Sequence, residues 1–261
     1  MAVYTIAMAF MNYRIIAKSL AAFQDTRNVA LENKLVILNQ HYPLNYDENQ
    51  IVLKELAKQH NAILIDAKKN LGLHGGFNFA MNHLKLKDGD IVIGYDPDSL
   101  PLQYGWDMAL VRAIQGDPKQ RVVWASLMNP RSLSDIKERG YDVRKADGYI
   151  ELWITRQAVV NSICAWSYRW LKEVGFLNEH RPFYGHLEGA MWGAMDNRKY
   201  DWAFLPGWTE SDCLRDMHDR DYVIYKCCHF HLKSWDGDFK SWLDAGKPNP
   251  ENSNKTPTQL P

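Results

Sequence analysis

The segment Asp90-Ile91-Val92-Ile93-Gly94-Tyr95-Asp96-Pro97-Asp98 indicates the class of fold and locates a candidate site. Its apolar run predicts a buried strand, and the carboxyl ends of such strands line the crevice where open α/β sheets bind ligands. Pro97 stiffens the turn that carries Asp96 and Asp98. Carboxylate oxygens suit Mg²⁺ or Mn²⁺, and such an ion keeps open positions for phosphate oxygens. Because Asp-x-Asp also occurs in ordinary turns, the motif needs support from the rest of the chain.

The composition predicts a globular protein. With 261 residues, 46% of them hydrophobic, the chain can bury a large core. It contains no run of eighteen apolar residues, and residues 1–10 lack the pattern of a signal peptide, so we expect a cytoplasmic protein without a membrane span. The four cysteines lack paired zinc spacing, which favours reduced thiols.

The charge balance argues against a general affinity for polyanions. The 31 basic and 31 acidic residues cancel, so no global field draws the chain onto nucleic acid or an anionic membrane. Residues 112–145 are locally basic, with eight basic against four acidic side chains. This stretch fits either a solvated loop face or a phosphate-binding patch. Ten tryptophans could fill the core or stack on sugars and bases.

Hydrophobic periodicity predicts alternating strands and helices in the first hundred residues. The predicted strands are 3–10, 34–38, 62–66 and the one ending at Asp96; the helices are 14–23, 50–60 and one containing 77–84. This alternation implies a mainly parallel sheet with right-handed crossovers.

Beyond Pro101 the alternation is less regular. We predict a helix containing Trp106 and Ile114, strands at 121–127, 149–155 and 202–205, and helices at 167–174 and 188–196. The polar stretch 129–148 is interpreted as a loop or lid. Residues 246–261 contain four prolines and no apolar period, and we predict a disordered tail there.

Four local motifs, in this order, resemble those of the family-2-like glycosyltransferases of the GT-A fold. The resemblance extends from about Val3 to about Asp196. The motifs are the strand and turn Ala7 to Arg14, the glycine-rich segment Asn70 to Ala80, the segment Asp96 to Pro101, and the run from Val174 to Glu179 followed by Phe183-Tyr184-Gly185.

The resemblance implies a fold, a donor and a cofactor. The fold would be a mixed, mainly parallel Rossmann-like sheet flanked by helices, in a single domain over residues 1–245. Residues 1–101 would bind the nucleotide sugar and 102–245 the acceptor. The activity would be inverting transfer from a nucleoside-diphosphate sugar, with a UDP-sugar first among the donors. The cofactor would be Mn²⁺ or Mg²⁺.

The donor site would combine the glycine-rich segment with polar residues at strand ends. Gly72, Gly75 and Gly76 let the backbone approach a ligand and begin a helix whose amide dipoles favour anions. The resemblance implies that Asp98 binds the metal directly and that Asp96 contacts the ribose or the sugar. The other residues expected there are Ala9, Asn12, Arg14, Asn39, Asp66, Lys69 and Asn70. Asn12, Asn39 and Asp66 fit equally well as turn or cap residues.

Inverting transfer needs a general base for the acceptor hydroxyl. The family places an acidic pair directly after its Tyr-Gly, whereas here His186-Leu187-Glu188 follows Gly185. Glu188 is the nearest carboxylate and our first candidate, with His186 second; Glu188 could instead simply favour the start of a helix. A late histidine often completes the metal site in GT-A enzymes. This chain offers His218, His229 and His231, spacing does not choose among them, and His218 and His231 are our candidates.

Several functions remain open at this point. The acceptor could be a glycan or a hydroxymethylated base in DNA, as for some phage enzymes, which would place the protein in the host cytoplasm. A nucleotidyltransferase would also use a parallel sheet and paired aspartates, but normally carries a basic glycine-rich signature after its first strand. A non-catalytic nucleotide-sugar-binding module would explain the departure after Gly185.

Overall fold

The structure is a computed structural model that describes most of the N-terminal half and parts of the remainder. The described residues are 1–9, 13–40, 46–96, 101, 104–116, 122–124, 142–146, 150–155, 163–176 and 202–204. For residues 13–15, 122–124, 142–146, 150–155 and 202–204 only the course of the backbone is described.

Strands and helices alternate through the first half of the chain, as predicted. The elements are β1 (Val3–Ala9), α1 (Tyr13–Thr26), β2 (Asn33–Asn39), α2 (Tyr46–Gln59), β3 (Ile63–Asp66), α3 (Gly72–Leu84), β4 (Ile91–Tyr95) and α4 (Trp106–Gly116). The second half contributes β5 (Val122–Trp124), β6 (Asp142–Ala146), β7 (Ile150–Thr155), β8 (Ile163–Ser167), α5 (Tyr168–Val174) and β9 (Trp202–Phe204).

The described strands form one mixed sheet in the order β3-β2-β1-β4-β8-β5-β9-β7-β6. Strands β3, β2, β1 and β4 are mutually parallel, which confirms the predicted arrangement for this half. Strand β8 then pairs antiparallel with both β4 and β5. Beyond them, β9 runs parallel to β5, and the β6–β7 hairpin extends the sheet through antiparallel pairing of β7 with β9.

Helices cover both faces of the sheet because the side chains of its central strands alternate between two apolar clusters. In β4, Ile91 and Ile93 join the cluster packed with α1, α2 and α4, whereas Val92 joins the cluster packed with α3 and α5. Trp106 and Phe23 lie in the first cluster, and Trp166 lies in the second. Burial on both faces explains the near-continuous apolar runs in the central strands.

Strand β8 is a central element that the sequence interpretation missed. Its five residues are all buried, and they lead directly into α5 without a turn. Ser167 makes this junction possible: its backbone is extended, and its side chain accepts a hydrogen bond from the Trp170 amide at 3.1 Å, which caps the helix. The predicted helix at 167–174 is confirmed.

The interpretation of residues 129–148 as a loop or lid was wrong for residues 142–146. They form β6, which pairs with β7 in the register Asp142 to Ile154 and lies at the end of the described sheet. Its sequence, Asp-Val-Arg-Lys-Ala, contains three charged residues, as is common in edge strands. A search for apolar runs therefore does not detect this strand. The predicted helix 188–196 and the tail 246–261 lie outside the described residues.

Candidate functional site

The candidate site lies where the four parallel strands end. Register pairs Ala9 with Asn39 and Asn39 with Asp66, so the last residues of β1, β2 and β3 are direct neighbours. Tyr95, the last residue of β4, pairs with Ala7 of β1, and Asp96 follows it immediately. This edge of the sheet is where open α/β folds bind ligands.

Asp66 is the centre of a hydrogen-bonded group at this edge. Its Oδ2 atom lies 2.8 Å from the Lys68 ammonium and accepts a hydrogen bond of 3.1 Å from the Tyr46 hydroxyl. Its Oδ1 atom accepts one of 3.0 Å from the Lys68 amide, and the Asn39 side-chain nitrogen lies 3.5 Å away. These contacts engage both carboxylate oxygens and tie the start of α2 to the ends of β2 and β3.

The protonation states of this group follow from its contacts. Burial favours the neutral form of Asp66, but hydrogen bonds from Lys68 and Tyr46 and the charge of Lys68 outweigh it, so the pKa of this carboxyl lies below its ordinary value. Burial and then the nearby Asp66 charge raise the pKa of Tyr46. The hydrogen bond to Asp66 raises the pKa of Lys68. At neutral pH the group therefore consists of a carboxylate, an ammonium and a neutral phenol.

Gln40 connects this edge to the glycine-rich turn. Its backbone amide donates to Ala9 O at 2.9 Å, and its side chain is buried. The Oε1 atom accepts a hydrogen bond of 3.0 Å from the Leu71 amide, while Nε2 donates one of 2.7 Å to Gly72 O. Asn70 Oδ1 accepts from the Gly72 amide at 3.0 Å and closes the turn.

Steric constraints explain why two positions of this segment are glycine. Gly72 has φ of +70°, the left-handed region that favours glycine. At Gly76 an added Cβ would lie 2.2 Å from Gln40 Nε2 and 2.9 Å from Met8 Sδ, so a side chain there would displace the glutamine amide. The turn and the first turns of α3 are thus packed directly on the ends of β1 and β2.

The structure brings together most of the predicted donor-site residues that it describes. Ala9, Asn39, Asp66 and Asp96 lie at the strand ends, while Lys69, Asn70, Gly72 and Gly75 lie in the turn before α3 and in its first turns. Arg14 lies in the first turn of α1, where only the backbone is described. Asn12, Asp98, His186, Glu188, His218 and His231 lie outside the described residues.

The predicted metal site rests partly on residues beyond the described ranges. Within those ranges no group of three or more His, Cys, Asp or Glu side chains could hold a metal ion. Asp96, half-buried directly after β4, has the carboxylate oxygens that Mg²⁺ and Mn²⁺ prefer. One carboxylate does not make a metal site, so the divalent cation at this strand end stays a prediction.

Two members of the site, Gln40 and Tyr46, were not foreseen. Gln40 could have been found, since it directly follows Asn39 at the end of a predicted strand, where polar side chains face the crevice. Tyr46 gave no local signal, because its contact with Asp66 depends on how α2 packs beside β3.

Solved glycosyltransferases share this architecture. A mannosyltransferase from Pyrobaculum calidifontis, in complex with GDP-Man and Mn²⁺, superposes with a TM-score of 0.59 at 16% identity over 95% of this chain and 66% of its own. The chain has a GT-A fold. GalNAc-T7 with UDP, GalNAc and Mn²⁺ gives 0.59 at 10% identity, covering 93% of this chain and 56% of its own. Residues 1–349 of S. aureus TarS give 0.53 at 13% identity, covering 92% and 71%.

This GT-A chain is shorter than the first two of these proteins, spanning just under two thirds of the mannosyltransferase and 56% of GalNAc-T7. No family model and no curated protein matches its sequence. Among its described helices, none is long and apolar enough to cross a membrane.

Proposed function

We propose that this protein is a glycosyltransferase that moves a sugar, with inversion, from a nucleoside-diphosphate sugar to an acceptor hydroxyl and depends on a divalent metal. The observation that carries the proposal is the shared edge of the sheet, where Asn39 and Asp66 end the neighbouring strands β2 and β3 and Asp96 directly follows β4, with β1 between β2 and β4. In this fold, two similar proteins were solved with a nucleotide or nucleotide sugar and Mn²⁺.

The donor would lie across the strand ends. The nucleoside would lie beside Asn39 and the Asp66–Tyr46–Lys68 group, which offers a carboxylate, an amide and an ammonium for hydrogen bonding. The diphosphate would lie toward the Gly72 turn, where the helix dipole of α3 favours negative charge. A UDP-sugar is our first candidate donor. Ala9, Asn12, Arg14, Lys69, Asn70 and Gly75 would complete this site.

The metal would be Mn²⁺ or Mg²⁺. Asp98 would bind it directly, Asp96 would contact the ribose or the sugar, and His218 or His231 would complete the coordination. When bound, the cation would neutralise charge on the departing nucleoside diphosphate. The carboxylate donors suit a hard divalent ion, which supports this assignment.

The transfer step requires a base. As the acceptor oxygen bonds to the anomeric carbon, the bond from that carbon to the phosphate oxygen breaks, and the hydroxyl proton passes to the base. Glu188 is our first candidate and His186 the second. The acceptor would be a glycan or a hydroxymethylated base in DNA, and for a phage enzyme the reaction would occur in the host cytoplasm.

A release assay separates an enzyme from a binding module. Wild type is incubated with UDP- and GDP-sugars, Mn²⁺ and acceptors that include hydroxymethylated DNA, and free nucleoside diphosphate is measured. We expect release that Glu188→Gln lowers by about a hundredfold or more, the range of a lost general base. Glu173→Gln is the matched control, because Glu173 pairs with Arg169 on the exposed face of α5. Donor binding without release from any combination would favour the binding module.

A further inference from the structure

We propose that Gln40 is a positioning residue that sets the affinity for the diphosphate of the donor by holding the glycine turn against the ends of β1 and β2. This inference rests on the proposed function, since it assigns the turn to the phosphates. Gln40 belongs to none of the four motifs that carry the family resemblance, and its role follows from its contacts alone.

Gln40 is built to hold this turn. Its side chain is only 3% exposed, and both ends of its amide are used: Oε1 accepts from the Leu71 amide and Nε2 donates to Gly72 O. Burial of an amide is costly unless it is hydrogen-bonded, so these two bonds fix the side chain and the two residues it holds. An apolar side chain of the same length would fill the space but free the turn.

The neighbours of Gln40 are shaped around its amide. Met8 Sδ, from the end of β1, lies 3.5 Å from Nε2. Gly76, one turn into α3, leaves room that a Cβ would close, since that atom would lie 2.2 Å from Nε2. Strand β1, strand β2, the turn and α3 therefore meet at one amide group, and a change at Gly76 should act through Gln40.

The same residue lies beside the nucleoside half of the site. Gln40 directly follows Asn39, whose carbonyl accepts from the Ala67 amide at 3.0 Å and whose side chain lies 3.5 Å from Asp66. Gln40 thus fixes the distance between the nucleoside-binding strand ends and the phosphate-facing turn. Replacing such a residue should change the affinity for a ligand that spans both parts of the site more than the affinity for a ligand that contacts only the strand ends.

The test compares UDP with uridine, and GDP with guanosine if wild type prefers GDP, in the presence of Mn²⁺. Dissociation constants are measured by calorimetry for the diphosphate and by ligand-observed NMR for the nucleoside, well below the unfolding temperature. We expect Gln40→Met to raise the Kd for the diphosphate about tenfold, the loss typical of broken hydrogen bonds, and to change the Kd for the nucleoside less than twofold.

Gln24→Met is the matched control, because Gln24 Nε2 donates to His60 O at 3.1 Å near the C-terminal end of α1, a helix that packs on the opposite face of the sheet from α3. It should change neither constant. Gly76→Ala is a second variant, which keeps the glutamine at position 40 but displaces its side-chain amide. It should also weaken binding of the diphosphate more than binding of the nucleoside. Amide hydrogen exchange at Leu71 should speed up in both Gln40→Met and Gly76→Ala, which reports the loss of the bond to Oε1 directly.

The outcomes are distinct. A higher Kd for the diphosphate alone, together with faster amide exchange at Leu71, supports the role of Gln40. If the Kd for the diphosphate is unchanged, or if the Kd rises equally for both ligands, this role is overturned and the proposed function still stands. If wild type binds neither UDP nor GDP, the proposed function fails and this inference fails with it.

Discussion

The Tyr46 hydroxyl donates a hydrogen bond of 3.1 Å to Asp66 Oδ2, which joins the first residue of α2 to the last residue of β3. Because the Asp66 charge helps to raise the pKa of Tyr46, removal of that charge should lower it toward its ordinary value of 10.0. We expect Asp66→Asn to show one tyrosine titrating at lower pH than in wild type, measured by ultraviolet difference spectroscopy. Tyr46→Phe identifies the signal, and an unchanged titration in Asp66→Asn would contradict the contact.

The same substitution should weaken donor binding. Asp66→Asn removes the carboxylate proposed to hydrogen-bond the nucleoside and the charged acceptor that orients Tyr46 and Lys68. We expect the Kd for the nucleoside diphosphate to rise about tenfold. Glu32→Gln is the control, because Glu32 also pairs with a lysine, Lys34, but at the opposite end of β2. Equal affinity in both variants would argue against a nucleoside site at Asp66.

The free energy of unfolding should fall as the pH drops through the range in which His60 becomes protonated. Burial lowers the pKa of His60 below its ordinary value of 6.5, and the charge of Asp25 opposes this only in part. His60 therefore takes up a proton at higher pH in the unfolded chain than in the folded chain. The contribution of neutral His60 to the free energy of unfolding is full above pH 6.5 and is lost as the pH falls through the pKa of His60 in the folded protein. Urea unfolding at pH 7.5 and 5.5 should show a smaller decrease in His60→Gln than in wild type; an identical decrease would contradict the assignment.

Gly94 should be sensitive to any side chain. A Cβ there would lie 2.7 Å from the Trp166 ring and 3.2 Å from Phe77, in the layer between β4, β8 and α3. We expect Gly94→Ala to lower the free energy of unfolding by about 1–3 kcal/mol, the usual cost of overpacking. Gly89→Ala is the matched control, since an added Cβ there meets no atom within 4 Å. The comparison uses urea unfolding, and equal stability in the two variants would be inconsistent with this packing.

Asp107 should be important for folding, although it lies away from the candidate site. It is completely buried at the start of α4, where Oδ1 accepts from the Asn28 amide at 2.9 Å and Oδ2 accepts from Asn33 Nδ2 at 3.0 Å. Asp107→Ala leaves the buried Asn33 amide and the part-buried Asn28 amide without this acceptor and should cost about 2–4 kcal/mol. Asp47→Ala, in the exposed first turn of α2, should cost less than 1 kcal/mol by the same unfolding measurement.

The sequence predicts the parallel half of the fold because that half obeys local rules. Apolar runs such as Ile91 to Tyr95 form strands buried on both faces, and their ends locate Asn39, Asp66 and Asp96 at one edge. Strand β8 was not predicted, because five buried residues followed directly by a helix show neither a hydrophobic period nor a turn signal. The contacts of Gln40 and Tyr46 could not be predicted for a different reason: each depends on tertiary packing between segments 20 or more residues apart.

A thermal-shift comparison tests the proposed metal-dependent binding of the donor at the end of β4. Unfolding temperatures of wild type, Asp98→Asn and Asp88→Asn are measured with UDP, GDP and their sugars, each with and without Mn²⁺. Asp88 is a suitable control because it is an exposed aspartate that pairs with Lys172. We expect a Mn²⁺-dependent stabilisation in wild type and Asp88→Asn that is lost in Asp98→Asn. Absence of any nucleotide-dependent shift in wild type would contradict the glycosyltransferase assignment.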